Sequence, residues 1–168
     1  GLKVLDFMWV MACPIFTRVL SDYGATVIRV ESTTRLDAVR ASPPFKNDEL
    51  EMSNSVPYSN FNAGKTGVTI DPSNPVGKEV ILDLVRWADV VTESFSPKAM
   101  KAWGLDYESL REVNPDLIMV SSCLMGQTGN RAMVPGYGNM AAAITGFYQL
   151  TGWPDRSPAG PYLAYTDG

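Results

Sequence analysis

The sequence predicts an α/β domain built on a mainly parallel sheet, and three observations carry that prediction. The first 31 residues run strand, helix, strand; the same alternation then continues along the chain; and no internal repeat or break in composition divides it. With 168 residues, 45% of them hydrophobic, the chain is long enough for one core of ordinary domain size, and no second domain is expected.

The elements follow in order. "LKVLDFMWV" is a mostly apolar run between turn-formers and reads as a buried strand. "CPIFTRVLSDYG" spaces Ile15, Val19 and Tyr23 at helical intervals, with Pro14 near the start and Gly24 as a C-terminal stop. "ATVIRVE" is a β-branched strand, and the βαβ unit so formed implies parallel strands joined by a right-handed crossover. Residues 32–60 are rich in Ser, Pro and Asn, show no period and read as a long loop, of the length that is usually functional or mobile. "KTGVTID" resumes a strand, and "DPSNPVGKEVILDLVRWA" opens a helix with Asn74 as N-cap and Pro75 in the first turn. Val80, Leu84 and Trp87 share one face of that helix. "DVVTESF" is a strand, "PKAMKAWG" and "DYESLREVN" are short helices, and "DLIMVSSC" is a further strand. After the turns "GQTGN" and "PGYGN", "MAAAITGFYQLTG" reads as a helix of small residues.

Composition narrows the function. A net charge of −4 with no basic surplus argues against nucleic acid as a partner. The chain has no histidine and its two cysteines, Cys13 and Cys123, are far apart in sequence, so the usual Cys/His zinc sites and a Ser-His-Asp triad have no ligands or base here. Unpaired thiols suit a reducing, cytoplasmic setting, and no apolar run approaches the length of a membrane span. Gly1 leads into a strand without an initiator methionine, which leaves a removed targeting segment open. In open parallel sheets ligands sit beyond the carboxyl ends of strands, which singles out the loops after Val10, Glu31, Glu93 and Ser122. None carries GxGxxG or GxxxxGK[ST], so neither a nicotinamide site nor a P-loop is supported. The residues alone thus indicate an α/β domain that binds a small ligand.

Taken in order, "GLKVLDFMWVMACP", "LSDYGATVIRVE", "FNAGKTGVTID", "WADVVTESF", "WGLDYESLREVNPDLIMVS", "GQTG" and "TDG" resemble the family III CoA-transferases, relatives of the formyl-CoA, carnitine and bile-acid enzymes. The resemblance implies that residues 1–168 are the N-terminal part of a large, Rossmann-like CoA-binding domain with helices on both faces of its sheet, incomplete here. It also implies an interlocked homodimer of the full-length protein. Its reaction moves coenzyme A from an acyl-CoA to a carboxylic acid, with CoA as substrate, no permanently bound cofactor, no metal and no membrane. Asp167 stands at the family's catalytic aspartate, where a carboxylate attacks the thioester to give a mixed anhydride and then an aspartyl-CoA thioester. The apolar approach "PYLAY" suits exclusion of water, and part of the oxyanion stabilisation comes in the family from a glycine-rich loop further along. The bland alternative for Asp167 is a turn acid before Gly168.

Other positions carry over one by one. Arg40 lies in the loop that meets CoA phosphate, with Arg35 nearby, and a solvated surface arginine is the alternative reading. Asn62, Gly64 and Lys65, in "NAGKTG", match a turn near the CoA moiety and would equally make a tight turn into a strand. Ser94 stands where an asparagine often contacts CoA, and Lys101, beside Lys98, is near Ala102, where several members have arginine. Met11 stands where the formate-type enzyme has glutamine. Two other functions compete. The related α-methylacyl-CoA racemases pair the aspartate with a histidine, but here Tyr137 replaces that histidine and Gly138 the neighbouring acid. A non-catalytic CoA-binding or assembly module is the other.

Overall fold

The structure, a computed structural model, describes residues 1–161 and 165–167. Five strands form it: β1 (Lys3–Phe7), β2 (Thr26–Glu31), β3 (Thr66–Thr69), β4 (Val90–Glu93) and β5 (Ile118–Ser121). They make one sheet in the order β3-β2-β1-β4-β5, with every pairing parallel. The helices are α1 (Ala12–Asp22), α2 (Val56–Phe61), α3 (Pro75–Trp87), α4 (Pro97–Trp103), α5 (Tyr107–Val113), α6 (Gly138–Ile144) and α7 (Phe147–Leu150). The fold class read from the sequence is therefore the observed one.

Register decides which side chains share a face. Leu5 pairs with Ile28 and Val91, and these residues face α3, α4 and α5 together with Phe7, Val30 and Val68. Ile81 and Val85 of α3, Met100 of α4 and Leu110 of α5 close that layer, all of them buried. The opposite face carries Val4, Val27 and Val90 under Leu20 of α1, and then changes character. There Asp6 lies beside Arg29 and Thr92, all buried. Helices lie on both faces, as expected.

Several local readings hold at the level of single caps. The Asn74 side chain accepts the N–H groups of Val76 and Gly77, and Pro75 occupies the first turn of α3. Gly24 follows α1 at φ +90°, a conformation glycine adopts without steric cost.

Five details differ from the sequence reading. The first strand ends at Phe7 rather than at Val10, because the next N–H groups bond to side chains instead of a neighbouring strand. The buried stripe of α1 is Pro14 and Thr17, while Val19 and Tyr23 are exposed; the Thr17 hydroxyl is needed against Asp6. In α3 the buried pair is Ile81 and Val85, one residue on from Val80 and Leu84, and Val80 is exposed. The C-terminal helix is two short helices, broken at Gly146 with φ +87°. The long loop also holds α2, capped by the Ser55 side chain.

Candidate active site

The chain adds strands on one side of β1 as far as β3, then returns to place β4 on the other side. Loops leaving the carboxyl ends of β1 and β4 therefore diverge and leave a crevice, the place where open α/β sheets hold ligands. A cavity of about 400 Å³ opens there. Its walls are Trp9 to Cys13 after β1, Ser94 and Phe95 after β4, Ser122 to Leu124 after β5, Tyr137 at the start of α6, and Thr166 with Asp167. Three of the four loops singled out by strand position thus meet at one cavity. The fourth, after Glu31, lines a neighbouring cavity of about 320 Å³ with Ser32, Thr34, Arg35, Asp71, Ser73 and Trp103. Trp9 borders both. Its ring meets Phe95 edge-on at 5.3 Å, and Phe95 meets Trp103 in the same way at 5.4 Å, so an aromatic row runs from one cavity to the other.

Asp167 lies in a 3-10 turn, Tyr165–Asp167, packed against α6. Its Oδ2 accepts the Gly138 N–H at 3.1 Å, and the neighbouring Thr166 Oγ1 donates to the Gly138 carbonyl at 2.6 Å. The acid is thereby fastened to backbone distant in sequence. A Cβ at Gly138 would fall 2.5 Å from the Asp167 carboxyl carbon, so this approach requires glycine. Residues 162–164 of the "PYLAY" approach, and Gly168, lie outside the described residues.

Cys13 and Cys123 also line the cavity, which their spacing in sequence did not suggest. Burial pushes the Cys13 thiol up, and the Asp6, Asp167 and Glu93 carboxylates push the same way against a hydrogen bond with Ser122. The thiol is the stable form there, a weak donor in an apolar wall rather than a nucleophile.

The remaining candidates divide. Ser94 lines the main cavity, and its Oγ accepts the Trp9 N–H at 2.8 Å. Met11 and Tyr137 line it too, Tyr137 being largely exposed. Arg35 lines the second cavity, whereas Arg40 borders neither. The Arg40 guanidinium grips Glu31 through Nε at 2.6 Å and Nη2 at 3.1 Å, donates to the Tyr58 hydroxyl at 2.5 Å, and lies 3.6 Å from the Tyr58 ring. Burial would raise the Glu31 carboxyl, but the Arg40 hydrogen bonds, the Asp37 N–H and the Arg40 and Arg29 charges hold it below the usual range.

Lys65 is also engaged by protein. Its Nζ has Asp6 Oδ2 at 3.0 Å, the Pro14 carbonyl at 3.0 Å, Thr17 Oγ1 at 2.7 Å and Asn62 Oδ1 at 3.0 Å, and the side chain is 1% exposed. Burial outweighs Asp6 and pulls the ammonium below its ordinary range. Asn62 caps α2 and Gly64 turns at φ +77°, where a Cβ would meet Ser21 Oγ at 2.5 Å. The motif forms a tight turn leading into β3. Lys98 and Lys101 are exposed on α4 and border neither cavity. Among the described residues no cluster of three or more Cys, Asp or Glu is arranged to hold a metal, and no helix is long and apolar enough to cross a membrane.

Comparison with known proteins follows the same lines. A family description, CoA-transferase family III, matches residues 1–168. The chain is 38% identical to succinate–glutarate CoA-transferase of Agrobacterium fabrum, over 99% of this chain and 42% of that one. It is 35% identical to acetyl-CoA:oxalate CoA-transferase of Acetobacter aceti, over 94% of this chain and 39% of the relative. Among solved structures, a CaiB/BaiF family protein from Brucella suis superposes with a TM-score of 0.89 at 40% identity, covering 99% of this chain and 44% of that one. A hypothetical protein from Mycobacterium tuberculosis gives 0.87 at 32% identity, over 99% and 45%. The chain thus spans less than half the length of each of these relatives.

Proposed function

The chain belongs to CoA-transferase family III, and from that premise we propose that, as the N-terminal part of a longer protein, it moves coenzyme A from an acyl-CoA thioester to a carboxylic acid through covalent intermediates on Asp167. One observation carries this reading: a carboxylate clipped to the Gly138 N–H in the wall of an apolar-lined cavity at the crevice between β1 and β4.

A carboxylate oxygen of Asp167 attacks the thioester carbonyl, and the C–S bond breaks to release CoA thiolate and leave a mixed anhydride. The thiolate then attacks the aspartyl carbonyl, expelling the donor acid as its carboxylate and leaving an aspartyl-CoA thioester. The acceptor carboxylate attacks that thioester, CoA leaves again, and its attack on the acceptor's acyl carbon returns Asp167 and the new acyl-CoA. Every intermediate remains an activated acyl group, so the reaction conserves the thioester's free energy provided water stays out. Trp9, Phe95 and Leu124 suit that exclusion, and the Gly138 N–H restrains the nucleophile's orientation. The thioester end of CoA would enter beside Ser94. Its nucleotide end would follow Trp9 toward the second cavity, where the Arg35 guanidinium suits a phosphate. Arg40 and Lys65 support these loops from beneath rather than meeting phosphate. An interlocked homodimer of the full-length protein belongs to the same proposal.

The racemase reading is not favoured: the named relatives are CoA-transferases, and this chain has no histidine to serve as the second acid–base group. The deciding experiment incubates the full-length protein with an acyl-CoA, traps with hydroxylamine and maps the modified peptide. A hydroxamate on Asp167, with transfer abolished in both Asp167→Ala and Asp167→Asn, is the expected outcome. Turnover by either variant at the wild-type rate sinks the covalent mechanism.

A further inference from the structure

The geometry points to Asp37 as the positioning residue that shapes the cavity wall, by holding Val10 in a backbone conformation its own side chain opposes. Val10 has φ +71°, in the left-handed region that a β-branched residue avoids for steric reasons. The local sequence favours a strand there, because "LKVLDFMWV" is apolar and β-prone throughout.

Three consecutive N–H groups are captured by side chains from three different parts of the chain. Met8 donates to Asp6 Oδ1 at 2.9 Å, Trp9 to Ser94 Oγ at 2.8 Å, and Val10 to both Asp37 oxygens at 3.1 Å. Asp37 is itself fixed. It is buried, its Oδ1 accepts the Val39 N–H at 3.0 Å, and its Oδ2 accepts Arg29 Nη2 at 2.5 Å. Arg29 closes the ring by donating through Nη1 to the Met8 carbonyl. The result is a loop bound at the Met8 carbonyl and the Val10 amide by one buried ion pair, with Asp6 and Ser94 taking the Met8 and Trp9 amides. Because Val10 turns here, Met11, Ala12 and Cys13 enter the cavity wall instead of prolonging β1. Strained backbone of this kind persists only where its surroundings over-determine it. The inference rests on the functional reading above for its catalytic meaning, but not for its geometry.

Glycine adopts φ +71° without opposition, which supplies the test. In the full-length protein, Asp37→Asn halves the acceptor capacity and removes the nearer of the two carboxylates that pair with Arg29, leaving Glu31 at 3.8 Å. Its kcat should fall by about a hundredfold, the effect of an ångström-scale misplacement, with the KM for acyl-CoA changing less. In the Val10→Gly background the same replacement should cost no more than about threefold, a coupling that a double-mutant cycle reads directly. An equal loss in both backgrounds overturns the proposal, since Asp37 would then matter only to folding.

A second readout needs no activity. Alkylation of Cys13 by iodoacetamide, followed at the peptide level, should accelerate in Asp37→Asn and return toward the wild-type rate in the double variant; equal rates in all of them overturn the clamp. If the wild-type protein transfers no CoA, the functional reading fails while this arm still decides the clamp. If Asp37→Asn does not accumulate, recovery of folded protein in the double variant supports the proposal, and failure of both overturns it.

Discussion

The two faces of the sheet solve different problems. Beneath α3, α4 and α5 the contacts are apolar, with Leu5, Phe7, Val30, Ile81, Val85 and Val91 in one continuous layer. Beneath α1 the corresponding positions of β1, β2 and β4 hold Asp6, Arg29, Glu31 and Thr92 behind a small patch of valines. An apolar layer draws its stability from area removed from water and is indifferent to direction. Buried charges gain little net stability, yet they demand partners at defined distances. Asp6 reaches Met8, Thr17, Lys65 and Thr92, and Arg29 with Asp37 reaches Met8 and Val10. These are the residues and loops that lead into the cavity. One face holds the domain together; the other aims its loops.

The contrast is broken most severely at Asp6. Asp6→Ala leaves the Lys65 ammonium buried without its counter-ion and should cost about 3–5 kcal/mol in urea unfolding. Replacing the pair, Asp6→Ala with Lys65→Met, should recover most of that loss. A double variant as unstable as the single would mean that the hydrogen bonds to Met8 and Thr92, and not the charge, dominate at this position. On the other face, Ile81→Ala removes fully buried atoms and should cost about 2–5 kcal/mol through lost burial and a residual cavity. It should leave Cys13 alkylation unchanged in the folded protein, because Ile81 packs on the face of the sheet opposite α1, which carries Cys13; a faster reaction would show that the two faces are coupled.

The smallest effect separates two buried glutamates at strand ends. Glu31 is held below its ordinary value, so its contribution is present above that value and is lost as pH falls through the lowered one. Glu93 is pushed up by burial, against hydrogen bonds from Ser121 and the Phe95 N–H. Its contribution is complete at low pH and lost as pH rises from the ordinary glutamate value through the raised one. Thermal midpoints measured across pH 3–7 should therefore flatten at the acid end in Glu31→Gln and toward neutral pH in Glu93→Gln. The same pH profile in both variants would refute the assignment of opposite signs.

How much of this was legible in the sequence varies by residue. Alternating strand and helix patterns indicated a parallel α/β sheet, and Asn74, Pro75 and Gly24 marked helix ends, because such signals record backbone geometry over a few residues. Resemblance to a family brought Asp167 forward, where spacing alone would have left a turn acid. The buried stripe of α1 departs from the apolar pattern, since Ile15, Val19 and Tyr23 satisfy a helical period while Thr17 answers to Asp6. Nothing near Arg40 or Lys65 in sequence shows that Glu31 and Asp6 hold them, and the apolar run carries strand character on to Val10.

Sequence by itself determined the alternation of strands and helices, the helix ends at Asn74 and Gly24 and the lack of a histidine within residues 1–168. Tertiary structure decided that β1 and β4 would be neighbours with a cavity beyond them, that Lys65 would serve Asp6 across 59 residues, and that Val10 would turn left-handed to Asp37 across 27. The reason is physical: periodicity reports what a segment does with its own backbone, whereas a buried polar group is satisfied only by a partner that the completed fold brings to it.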